Sequence, residues 1–211
     1  MYDYLRYAPV ASFFLLITLA TSLYAFYADN SLFQKLMLKP VRVFRRGEYY
    51  RLFTAGLLHG DFFHLLFNLL TFYFFAKYVE SYYLGHWQFA VIYVGSLLLS
   101  SLYAAWKHRN DTNYNALGAS GAISGVLFSF ILFNPNATLG VMFIIPMPAW
   151  LFALLYLALS YYFARQGGGV IGHDAHLAGA VVGLVLTILL YPPIGLQTAQ
   201  RIYSAIQALG G

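Results

Sequence analysis

Three short stretches place chemically competent side chains inside otherwise apolar sequence. They are LGASGAISG (Leu117 to Gly125) with Ser120, DAHLAGAVVG (Asp174 to Gly183) with His176, and HLLFN (His64 to Asn68) with an imidazole and an amide. A serine hydroxyl beside an imidazole is a nucleophile with its base. His64 and Asn68 stand four residues apart, so on a helix they share one face, and both can donate hydrogen bonds to a developing oxyanion. A helix opening at Ser120 would add that residue's own N–H, at the positive end of the helix dipole. These are the parts of an acyl-transfer site built on a Ser120–His176 dyad. For any one of these polar residues alone, a satisfied interhelical hydrogen bond is the competing explanation. Three such sites within spans point to function, because each is costly to bury.

Other polar residues are read differently. Asp174 is two residues from His176 and would point to another side of a helix, so it is expected as a helix cap and not as a third catalytic member. His59 and His173 lie near span ends. With no cysteine and no close pair of carboxylates, neither a metal nor an organic cofactor is expected.

Bringing a hydroxyl and an imidazole together requires two helices in close contact, and the glycines suit that task. Gly118, Gly121 and Gly125 flank the hydroxyl; Gly179 and Gly183, with Ala175 in register, accompany the imidazole. Small residues let membrane helices approach backbone to backbone.

Composition places these elements in a bilayer. Of 211 residues, 61% are hydrophobic and 9% charged, against roughly 25% charged in an average soluble domain. Charge-free stretches run from Tyr7 to Ala28, Phe62 to Ala76, Ala116 to Ala164 and Ala175 to Gln200. The third is long enough for two spans, broken around Asn134 to Asn136 and again around Pro146 and Pro148. With a span over Phe89 to Trp106 the count is six: an all-α, polytopic membrane protein, a single domain over residues 1–211. The fourth span, Gly118 to Phe133, covers only about 24 Å of a roughly 30 Å hydrocarbon core. If it stops short at its start, Ser120 lies below the headgroups in a water-filled pocket. The first apolar run is longer than a signal peptide's and is expected to be retained. A short interfacial helix with Ile202, Ile206 and Leu209 at helical spacing is expected to close the chain.

The net charge of +5 does not indicate nucleic acid, because the cations cluster in one loop. Lys35, Lys39, Arg42, Arg45, Arg46 and Arg51 lie between the first two spans and suit anionic lipid headgroups. Six spans put Arg6, Lys77 and Arg201 on the side of the termini and the other nine cations opposite, a bias that by itself places the termini outside.

The chain resembles the rhomboid intramembrane serine proteases of the six-span bacterial type. The resemblance rests on YYRLFTAGLLHG before the second span, HLLFN within it, VESYYLG after it, GASG opening the fourth and AHLAGAVVG in the sixth, in that order. It implies a rhomboid-like bundle with a short central fourth helix, Ser120 as nucleophile, His176 as general base, and His64 and Asn68 as oxyanion stabilisers. Tyr50 and Arg51 stand where the family has a Trp-Arg pair. Ser124 stands where some members place a tyrosine stacked on the base. The resemblance further implies cytoplasmic termini, against the charge bias, and transmembrane protein substrates cleaved in or near their spans. Small residues near the scissile bond, and no cofactor, are also implied. The loops at Lys107 to Asn115 and Gly167 to Gly172 are expected beside the cleft, with the Gly167 to Gly169 run either a point of movement for the fifth span or a plain flexible connector. The compact form without a targeting extension favours a bacterial inner membrane; the oligomeric state stays open. The same residues also suit two rivals: a non-catalytic relative that binds membrane segments, and a small transporter using His64 and His176 as a proton relay.

Overall fold

The computed structural model describes residues 2–141, 145–166 and 172–210. A short helix α1 (Tyr2–Tyr7) leads into α2 (Pro9–Tyr27), whose first residue is a proline that needs no backbone N–H partner. The next N–H groups have no partner within the helix and are satisfied by a distant carboxylate. Glu80, fully buried, accepts from Val10 N at 3.0 Å and Ala11 N at 2.8 Å, and its Oε1 lies 2.7 Å from His86 Nδ1. A buried anion at the positive end of a helix is favourable, which explains an acidic residue at the end of an apolar stretch.

Between the first two spans lie α3 (Ser31–Leu36), α4 (Pro40–Arg46) and α5 (Arg51–Thr54). Arg51 ties them together from a fully buried position. It donates from Nε to Glu48 at 2.5 Å and from Nη1 to the carbonyls of Gln34 at 3.2 Å and Met37 at 2.8 Å. The second span is α6 (Phe62–Lys77), capped by Asp61, whose side chain accepts from His64 N at 2.8 Å. It runs on as a wider, π-helical segment to Leu84, where Gly85 (φ 109°) turns the chain. Then come α7 (His86–Lys107) and α8 (Ser120–Phe133).

Helix α8 is the centre of the bundle. Of its 14 residues all but Ser120 and Leu132 are buried, and at 1.5 Å per residue it is about 21 Å long. Its far end therefore stops inside the structure, where its last carbonyls need donors. Thr198 Oγ1 donates to Leu132 O at 2.6 Å, and Arg201 donates to Phe133 O. Both come from the closing helix α11 (Ile194–Gly210), placing a cation at a helix C-terminus.

Two strands, β1 (Thr138–Val141) and β2 (Ile145–Pro148), form an antiparallel hairpin after α8, with Thr138 opposite Pro148. This corrects the reading of that segment as a plain break. Both strands of a two-stranded ladder are edges, so Pro146 and Pro148 are tolerated there. Helices α9 (Ala149–Gln166) and α10 (His173–Leu190) complete the bundle. The hairpin aside, the all-α, six-helix reading holds. Helices α2, α6 with its extension, α7 and α10 are long and apolar enough to cross a membrane, and α8 and α9 are shorter apolar helices. Large apolar side chains such as Phe13, Phe63, Leu154, Leu159 and Leu189 cover the outside, as lipid contact requires and water would not allow.

Candidate active site

The strand of chain that precedes α8 is held at three points. Ala116 and Leu38 exchange backbone hydrogen bonds (2.8 and 3.1 Å), Gly118 N donates to Ala55 O at 2.9 Å, and Ala119 N donates to His59 Nε2 at 3.5 Å. Gly118 has φ +117°, and a Cβ there would sit 3.0 Å from His64 Nε2 and 3.9 Å from Ser120 Oγ. Its role thus differs from the helix-packing one expected: it lies before the helix, where the turn and the His64 ring exclude a side chain.

Ser120 is the first residue of α8, and its Oγ lies 2.7 Å from His176 Nε2 on α10. The other four small residues account for that closeness. A Cβ on Gly179 would strike the backbone of Gly121, and one on Gly183 the backbone of Gly125. On another side, Gly121 and Gly125 face Ser100 and Ser96 of α7. Helix α8 is therefore gripped by two neighbours through glycine and serine, and the Ser120–His176 contact sits at the end of that seam.

His64 stands beside this pair, its ring edge-on to His59 with centroids 4.9 Å apart. Asn68 follows one turn later; its Nδ2 donates to His64 O at 2.9 Å. One of its two amide hydrogens is thus used locally. Asn68 and Ser120 both line a cavity of about 750 Å³ that runs along α8 past Thr71, Ser124 and Leu127 to Asn134 and the β1 strand. Its walls carry many aromatic rings, including Phe67, Phe74, Phe75, Phe152 and Tyr156.

Asp174 does not cap α10. The capping position is Gly172, and the Asp174 carboxylate accepts instead from Lys107 Nζ at 2.6 Å and His108 Nε2 at 3.1 Å. Lys107 also donates to Ala164 O at 3.0 Å, joining the ends of α7, α9 and α10 beside the site. His173 stacks on Phe163 (5.1 Å) and lies 6.1 Å from the His176 ring. Among the described residues no three His, Asp or Glu side chains converge on a point where a metal could bind. Residues 167–171, with the expected Gly167 to Gly169 hinge, lie outside the described residues.

Sequence reasoning missed two contributors. Tyr156 reaches from α9 to within 2.6 Å of Ser124 Oγ, from a helix whose sequence shows only apolar periodicity. His59 is fully buried; since Nε2 accepts from Ala119, Nδ1 carries the proton and donates to Ser22 Oγ at 3.1 Å, which donates to Leu57 O at 3.0 Å. Burial, with a smaller effect from His64, pushes its pKa from 6.5 down to about 3. The unfolded chain therefore binds more protons between these values. Stability contributed by His59 is complete above about pH 6.5 and is lost as pH falls through this window towards about 3. Thermal midpoints of the detergent-solubilised protein should fall across this range, and less steeply in His59→Gln, which keeps an acceptor and a donor without titrating. An identical acid profile in the variant would contradict this.

Residues 46–193 match the Rhomboid domain family. The chain is 32% identical over 145 residues to the putative rhomboid protease YdcA of Bacillus subtilis, covering 68% of each protein. It is 27% identical over 157 residues to the mitochondrial RHOMBOID-like protein 12 of Arabidopsis thaliana, covering 67% of this chain and 46% of that one. To the rhomboid protease GlpG of Pectobacterium atrosepticum it is 30% identical over 146 residues, covering 66% and 48%. The chain thus spans about half the length of the latter two relatives. With the family's pattern matched across most of its length and a multi-pass helical bundle around a short buried helix, this chain belongs to the rhomboid family.

Proposed function

We propose that the protein is an intramembrane serine endopeptidase that cleaves other membrane proteins in or near their transmembrane segments. The observation that supports this most is the 2.7 Å contact between His176 Nε2 and Ser120 Oγ, with Ser120 lining a cavity along α8. A helical amide is shielded by its own hydrogen bonds, so a substrate segment must unwind where it meets Ser120. Ser120 Oγ attacks the carbonyl carbon while His176 Nε2 takes the hydroxyl proton. The resulting oxyanion is stabilised by the Ser120 N–H at the start of α8, by His64, and by the Asn68 amide hydrogen not used by His64 O. His176 returns its proton to the leaving amine, and water, activated by the same imidazole, releases the acyl group. No step calls for a metal or cofactor.

A bacterial inner membrane is the proposed location, with the termini on the cytoplasmic side. The charge bias that opposes this orientation is partly accounted for by internal bonding. Arg51 is buried against Glu48, Lys107 is held by Asp174, and Lys35 lies 3.4 Å from Asp29. Of these only Arg51 is buried, whereas Lys35 is exposed; the orientation therefore rests on the family's motif order and not on the charge count.

Labelling with a fluorophosphonate probe tests the activity. Covalent modification of the folded protein that disappears in Ser120→Ala is the expected result. Its absence from folded protein would remove the endopeptidase reading and favour a non-catalytic binder or a transporter; the latter is checked by pH-driven flux from liposomes.

A further inference from the structure

Tyr156 occupies the middle of α9, its ring packed against Phe128 (5.3 Å between centroids) and Phe152 (5.8 Å). Its hydroxyl is 2.6 Å from Ser124 Oγ, and Ser124 Oγ is 2.8 Å from the carbonyl oxygen of Ser120. The direction of this chain follows from counting hydrogens. A carbonyl can only accept, so the single Ser124 hydrogen goes to Ser120 O, and the Tyr156 hydroxyl must donate to Ser124 Oγ. Tyr156 has then used its only hydrogen, while its oxygen keeps lone pairs able to accept.

Tyr156 is one of the residues lining the cavity that Ser120 and Asn68 also line. The rings that pack on Tyr156, Phe128 and Phe152, bring it no donor, although hydroxyls and amides such as Thr71 and Asn68 line the cavity elsewhere. A substrate unwound beside Ser120 has the opposite deficit. Unwinding releases backbone N–H groups from their helical carbonyls, and the lipid around the cavity offers them no acceptor. An unused acceptor lies two hydrogen bonds from the backbone of the nucleophile, where donors without acceptors must appear.

Resting on the endopeptidase reading, we propose that Tyr156 is a substrate-binding residue whose phenolic oxygen accepts a backbone N–H of the unwound segment next to the cleaved bond. It replaces nothing in the dyad and transfers no proton. It makes unwinding less costly and so acts on substrates that must unwind.

The test compares two reagents on the full-length protein reconstituted in liposomes. One is a small alkyl fluorophosphonate, which has no N–H; the other is a fluorogenic transmembrane peptide. Tyr156→Phe keeps the ring and removes the oxygen. Labelling of Ser120 should stay within about twofold of wild type, while kcat/KM for the peptide falls about tenfold, the worth of one hydrogen bond in such a site. Ser124→Ala, which keeps the Tyr156 oxygen but breaks its tie to α8, should leave peptide cleavage within about threefold. Unchanged peptide cleavage in Tyr156→Phe overturns the proposal. So does an equal change for both reagents, or an equal loss in Tyr156→Phe and Ser124→Ala; these would make the pair a mere tie between α8 and α9. If wild-type Ser120 is not labelled at all, the endopeptidase reading falls and this proposal with it. If it is labelled and only the Tyr156 comparison fails, the acceptor alone is lost.

Discussion

His176→Ala should abolish turnover as thoroughly as Ser120→Ala, and the double variant should be no slower than either. The proposed chemistry needs the hydroxyl and the imidazole as one unit, because the alcohol is a poor nucleophile until its proton has somewhere to go. When two groups act this way, losing either removes nearly all that both provide, a loss on the order of 10⁴ to 10⁶ in kcat. Both residues are half-buried, and neither belongs to a core cluster. The three variants should therefore melt within a few degrees of wild type. Single-turnover cleavage of a transmembrane peptide gives the rates. A His176→Ala protein that retains more than about a tenth of wild-type activity would mean that another group takes the proton.

The second large effect is on assembly. Gly179→Ala should lower the thermal midpoint by on the order of 10 °C and also slow Ser120 labelling. The added methyl lands on the backbone of Gly121, which cannot turn aside as a flexible side chain would. Helices α8 and α10 must separate, at a cost of about 3 kcal/mol for overpacking a tight contact, and in a protein of this size each kcal/mol moves the midpoint by about 2 to 4 °C. The same separation lengthens the Ser120–His176 contact, which depends on that seam. Gly195 of α11 provides the control, because a Cβ there meets nothing within 4 Å. Gly195→Ala should leave both readouts unchanged or raise stability slightly. Equal effects at the two glycines would break the link between the seam and the dyad.

Several structural roles were unreadable before folding because each depends on a partner remote in sequence. Glu80 looks like an isolated charge until α2 brings Val10 and Ala11 to it, 70 and 69 positions away. Asp174 looks like a cap because a short acidic side chain at a helix start usually is one. Lys107 and His108, delivered by α7, outcompeted the local N–H groups. Gly118 resembles the packing glycines by residue type alone, whereas its positive φ and the His64 ring give it a different task. Ser124 left open what occupies the place of the family's aromatic; Tyr156 hydrogen-bonds there from another helix.

The spans, the short fourth helix and the i, i+4 pairing of small residues could be read from the chain because they are local. Hydrophobic run length and helical period are properties of consecutive residues, and the bilayer converts them directly into helices. Which face of α8 meets α10, that Ser96 and Ser100 of α7 close its other side, and which polar atoms of the cavity are already paired were decided by tertiary packing alone. Those features depend on distances between residues dozens of positions apart, and no periodicity along the chain encodes them.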